Sequence, residues 1–153
     1  MPGPDVPPPD GSALSHQWQR LVSTWVARQS LPFESDARSV TVRVDHPDAR
    51  RKITLAFTTT RNEQLLVLFT DDRYLAEDQI ALAAAAANTW NVERLTPMLA
   101  VCNLSSGQPA YLSGIRTLPL ACVLSRPAFD ALADQWLGEA REVFTWCHRV
   151  FRL

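Results

Sequence analysis

Histidine is the side chain most ready to bind a metal or move a proton near neutral pH, and this chain has three, His16, His46 and His148. His16 falls two residues before Trp18 in a helical pattern, and His46 opens a His46-Pro47-Asp48 turn. His148 lies near the end of a terminal helical pattern, where the helix dipole favours a cation. Each has an ordinary structural reading. Cys102, Cys122 and Cys147 are odd in number and twenty or more residues apart, which matches neither a disulfide framework nor a C-x2-C zinc site. They read as small buried hydrophobes in a reducing compartment. Cys147-His148 juxtaposes a thiol and a base, but successive helical residues point about 100° apart, so one core and one surface residue are expected.

Carboxylates pair in sequence at Asp71-Asp72 and Glu77-Asp78. An acid/base couple would need environments that drive their pKa values apart, whereas neighbours at a helix start commonly serve as caps and dipole partners. Arg141, His148 and Arg152, at steps of 7 and 4, share a helical face and offer a stripe for phosphate, which Glu139 and Glu142 dilute. H-E-x-x-H, EF-hand, G-x-x-x-x-G-K and G-x-S-x-G patterns are missing, and five glycines are few for a phosphate-cradling loop. No residue is therefore assigned to catalysis, to a cofactor or to a metal, and no cofactor is expected. What remains is Asn88, Trp90, Asn91 and Arg94, a candidate interaction surface. An amide beside an indole either locks a helix end or lines a groove.

The elements that would position these residues follow from composition and periodicity. With 153 residues, 46% apolar and 20% charged, the chain has the content of one ordinary domain that needs neither disulfide nor metal to fold. Fifteen basic and sixteen acidic residues leave a charge of -1, which provides no net field to gather nucleic acid or anionic lipid. No stretch reads as a signal peptide or reaches the ~18 apolar residues of a membrane span, so the expected location is the cytoplasm. Residues 1–12 hold five prolines and two glycines and are expected to form a disordered tail; residues 13–153 are expected to form one domain.

Leu14, Trp18, Leu21, Val22, Trp25 and Val26 trace a helical stripe, with Ser12 or Ser15 near its start and Pro32 beyond its end. Val40-Val42-Val44 and Ile53-Leu55-Phe57 alternate with Thr41, Arg43, Thr54 and Ala56 as half-buried strands do. Leu65 to Phe69 reads as a third, more buried strand. Asp71 or Asp72 offers a cap to a second helix from Tyr74 to about Asn88, so apolar all round that it is expected to be covered on more than one side. Met98–Leu104 and Pro109–Leu124 contain two further strands, joined through Ser105-Ser106-Gly107, with Gly114 a candidate bulge. Ser125 and Pro127 then start a terminal helix whose stripe runs from Phe129 through Trp136 to Cys147. The expected fold is α+β, a five-stranded antiparallel sheet in the order α-β-β-β-α-β-β-α.

Asn88-Thr89-Trp90-Asn91 closing an alanine-rich helix, followed by Arg94 and Pro97, resembles the YbjN family, whose members carry N-x-W-N after the second helix. The resemblance covers the element order from about residue 13 to 152 and is specific in residues only from Ala83 to Pro97. It implies the fold of type III secretion chaperones and a sensory or regulatory role, with no established catalytic residues to carry over. Secretion chaperones bind extended polypeptide as dimers, but a shared fold does not bring that role with it. The reading that results is a non-enzymatic protein-binding module, regulatory or chaperone-like, acting as a homodimer on a protein partner the sequence does not name. The alternative is an enzyme or metabolite-binding protein with a motif-less site near residues 88–94. Nucleic-acid binding would require an arginine face that the net charge conceals.

Overall fold

A computed structural model describes residues 12–104 and 107–153. The expected tail, apart from Ser12, and Ser105 and Ser106 of the hairpin connection lie outside the described residues. The elements in chain order are α1 (Leu14–Arg28), β1 (Phe33–Ser35), β2 (Val40–Asp45), β3 (Lys52–Thr59) and β4 (Gln64–Thr70). A 3-10 turn (Glu77–Gln79) leads into α2 (Ile80–Arg94), β5 (Met98–Cys102), β6 (Tyr111–Pro119) and α3 (Arg126–Phe151).

The strands form one antiparallel sheet in the order β1-β2-β3-β4-β6-β5, so the α+β class holds with six strands rather than five. The unexpected strand, β1, is three residues long and exposed throughout, so it carries no alternation for a pattern to reveal. It pairs Phe33 with Val42 and Ser35 with Val40, forming one edge of the sheet. β5 forms the other edge.

Alternation divides the sheet into two faces. Val40, Val42, Val44, Ile53, Leu55, Phe57, Leu65, Val67 and Phe69 are buried on the face that α1 and α3 cover. There Phe57 lies between Trp25 and Trp136, each 6.2 Å away between ring centroids, in tilted and edge-on geometries that aromatic pairs favour. The opposite face carries a cross-strand row set by the register, Thr41, Ala56, Leu68, Ile115 and Met98. Leu68, Ile115 and the neighbouring Leu66 are half-buried and belong neither to the core nor to the shell packed on it.

Several local expectations change. Neither Ser12 nor Ser15 caps α1 through its side chain; the N-cap is Ala13, and the first helical N–H groups of Leu14 and Ser15 donate to the carbonyls of Cys122 and Leu120. Neither Asp71 nor Asp72 caps α2, which begins six residues later than expected and runs through Trp90 and Asn91 to Arg94. Leu75 explains the delay: it is buried, and its N–H donates to the Ala110 carbonyl at 2.7 Å, so the segment is held extended. α2 is covered on one side only, where Ala83, Ala86, Ala87 and Trp90 are buried, while Ala81, Leu82, Ala84, Ala85 and Asn88 are exposed.

Gly114 sits in unbroken register on both sides and makes no bulge. A Cβ there would meet Phe69 Cδ2 at 2.9 Å, so glycine is required for close approach. α3 follows expectation: the Ser125 hydroxyl accepts from the Ala128 N–H at 3.2 Å, Pro127 lies in the first turn, and Phe129, Trp136 and Phe144 enter the core.

Candidate interaction surface

α2 and β5 are joined by the two residues that stood out in the sequence. Trp90, only 2% exposed, donates its indole N–H to the Pro97 carbonyl at 2.9 Å and stacks at a tilt on Trp146 of α3, 5.3 Å between centroids. The Asn91 amide then pairs with the backbone of Leu99: Oδ1 accepts the N–H at 2.8 Å and Nδ2 donates to the carbonyl at 2.9 Å. An edge strand leaves N–H and C=O groups open to any other strand, and here one side-chain amide occupies both groups of one residue. Trp90 and Asn91 therefore lock the helix to the sheet edge, and Trp90 lends no area to an exposed surface. Arg94 lies over the Trp90 ring, 5.6 Å from its centroid, and pairs with Glu142 of α3 at 3.1 Å. Of the four candidates, Asn88 is exposed on the opposite side of α2, so the structure does not gather all four into one patch.

The side of α2 that Asn88 occupies has its own regularity. Ala81, Ala85, Asn88, Val92 and Leu95 follow steps of 4, 3, 4 and 3, a single stripe opposite the buried alanines. From Ile80 to Val92 the helix contains no charged residue. A solvent-facing helix side ordinarily carries charged and polar residues, and this one instead ends in large apolar groups, with Val92 73%, Leu95 74% and Met98 50% exposed. Met98 also ends the sheet row of Thr41, Ala56, Leu68 and Ile115, on the face that no helix among the described residues packs against. No sequence motif signals this; the clue legible in the sequence is the want of charge in a helix covered on one side.

A second cluster lies between the β2–β3 turn and the end of α3. His46 is buried, its Nε2 3.3 Å from the Phe144 carbonyl and its Nδ1 accepting the Asp48 N–H at 3.0 Å. The His148 ring is 5.6 Å from it, edge-on, with a buried Nδ1 that has no hydrogen-bond partner. His148 is thus half-buried rather than a surface residue, while Cys147 is in the core as expected. Arg51 pairs with buried Asp71 at 3.0 Å and donates to the Leu153 carbonyl at 2.9 Å. Burial, followed by Arg51, pushes the His46 imidazole down, and burial raises the Asp71 carboxyl despite its arginine. The Cys147 thiol is pushed up to about 12, mainly by burial, and so is held as an unreactive thiol.

A cavity of about 630 Å3 opens beside this cluster, lined by Asp45, His46, Ala49, Arg50, Arg51, Lys52 and Asp72, and one of about 320 Å3 is bounded by Thr70, Asp72, Arg73, Tyr74 and Tyr111. Neither involves Asn88–Arg94. Among the described residues no group of three or more His, Cys, Asp or Glu side chains is placed to hold a metal ion, and no helix is long and apolar enough to cross a membrane.

Comparison with known proteins places the fold. No family model matches the sequence. No curated protein matches it either. Among solved structures it is similar to YbjN from E. coli, described as a candidate transcription regulator, with a TM-score of 0.67 and 12% identity. The match covers 90% of this chain and 95% of that one. The YbjN-like fold is therefore present, at 12% sequence identity.

Proposed function

We propose that this chain is a non-enzymatic, regulatory or chaperone-like protein-binding module that acts in the cytoplasm as a homodimer. The observation that carries the reading is the uncharged outer side of α2, with Val92, Leu95 and Met98 exposed beyond it. The solved structure it resembles is that of a candidate regulator, which is an analogy of fold and leaves the surface of α2 to carry the reading.

The stripe on α2 suits a second copy of itself. Laid antiparallel about a twofold axis at Asn88, Ala81 faces Leu95 and Ala85 lies against Val92 of the other copy, so small residues meet large ones along the seam. A parallel pairing would oppose alanine to alanine at one end and leave a void. The 15 residues of α2, at about 1.5 Å each, give a seam roughly 22 Å long and ~10 Å wide. That is a few hundred Å2, below the roughly 800 Å2 per partner of a stable interface. The dimer is therefore concentration-dependent, and the sheet row remains available to another protein.

Sedimentation velocity over a range of protein concentrations tests the first part: wild type self-associates, and Ala85→Glu stays monomeric. A wild-type monomer throughout would remove the homodimer. Recovery from native lysate tests the second, with a protein retained by wild type and lost by a folded Leu68→Glu variant. Equal recovery by both would discard the sheet row as the binding surface.

A further inference from the structure

His46 has both ring nitrogens in use and almost no contact with solvent. Because Nδ1 accepts the Asp48 N–H, the ring is neutral with its hydrogen on Nε2, directed at the Phe144 carbonyl. A second proton has one place to go, Nδ1, and reaches it only by displacing the Asp48 bond. We propose that His46 is an acid-operated latch, closed when neutral, which holds the last two turns of α3, from Phe144 onward, and Leu153 against the β2–β3 turn.

The surroundings make a charged His46 hard to accommodate. From the turn, Asp48 and Arg51 face it; from the end of β4, Asp71, with Arg73 beyond; from α3, His148, with Arg149 beyond Asp48. Both nearby carboxylates are already committed, Asp48 to Arg149 and Asp71 to Arg51. An imidazolium would thus enter a buried site with no free counterion and a guanidinium for a neighbour. Displacing Asp48 also strains its ion pair with Arg149, the other tie between turn and helix. What is released is a short unit: Leu153 is buried, its N–H donates to the Cys147 carbonyl at 3.2 Å, and its own carbonyl is held by Arg51.

The direction in pH follows from linkage. His46 is depressed in the closed form, so the open form takes up the proton first, near the ordinary ~6.5 of histidine. The closed form is fully favoured above that pH and loses ground as pH falls from it toward the depressed closed-state value. Asp71, raised by burial, acts in the opposite sense, since the closed cluster binds its proton more readily than the open one. Substitution of His46 removes the first effect and leaves the second.

Cys147 reports the motion, since it lies in those two turns and is buried in the closed form. In a chain carrying Cys102→Ser and Cys122→Ser, Cys147 is labelled with a dipyridyl disulfide, a reagent that reacts with thiols in acid, while helical circular dichroism is followed. Labelling is expected to rise below pH 6.5 by up to about tenfold per pH unit, the limit for one proton, before the helical signal falls. His46→Gln keeps a donor for the Phe144 carbonyl but binds no proton, and labelling should stay at its neutral-pH level; His148→Gln should retain the acid response. Labelling that appears only with loss of the helical signal overturns the latch, as does a His46→Gln protein that opens like wild type.

Discussion

α3 is amphipathic and α2 is not, and the two helices meet the rest of the chain in opposite ways. α3 drives large side chains, Phe129, Trp136, Val143 and Phe144, into the core and carries Arg141, Glu142 and Arg149 outside. α2 offers the interior three alanines and one tryptophan and keeps charge off its outer side until Glu93. Folding explains the whole of α3. It explains only half of α2, because nothing among the described residues requires its exposed face to be uncharged. The contrast separates residues kept for packing from residues kept for contact.

The sharpest way to break that comparison is to reverse the packing in each helix. Trp136→Ala should cost about 3–5 kcal/mol in a denaturant titration, as large buried truncations do. A loss under about 1 kcal/mol would show that α3 is not the core-forming helix. α2 should respond to enlargement instead: Ala86→Leu adds methylenes where the helix approaches the domain closely and should cost about 1–3 kcal/mol. If the larger residue is tolerated at no cost, the close approach of α2 is not maintained in solution.

The same contrast decides how much was legible in the sequence. The period of α3, its Ser125 cap and the alternation of β2 and β3 all announce themselves because burial forces a large apolar residue at each inward position. β1 has no buried residue, so periodicity holds no trace of it. α2 was located but misjudged in extent and cover, since alanine is equally at home inside and outside a helix and marks neither face. Trp90 and Asn91 were recognised as a pair able to lock a helix end, but their partners, Pro97 and Leu99, are fixed by tertiary contact. His46 was placed correctly in a turn, while its burial against Phe144 of α3, 98 residues away, has no local signal.

The lock itself gives the next largest effect. Asn91→Ala leaves the Leu99 N–H and carbonyl without their side-chain partner at a sheet edge, an expected cost of about 1–2 kcal/mol. Hydrogen exchange should locate the damage, with the Leu99 amide losing protection while the α3 amides keep theirs. Uniform loss across both helices would mean that α2 and α3 do not form separable regions.

The smallest effect has the opposite sign and bears most directly on function. Leu95 follows the last turn of α2 at φ 65°, a conformation that favours glycine, and its side chain is almost wholly in solvent. For folding alone, leucine is a poor choice there on both counts. Leu95→Gly should therefore raise stability by a few tenths of a kcal/mol and up to about 1 kcal/mol, since the strain relieved exceeds the little packing lost. Sedimentation of the same variant should show weaker self-association, because in the antiparallel seam Leu95 fills the space opposite Ala81. A variant that is more stable and less associated assigns the leucine to contact between copies. One that is less stable and associates normally assigns it to the fold and returns α2 to the same category as α3.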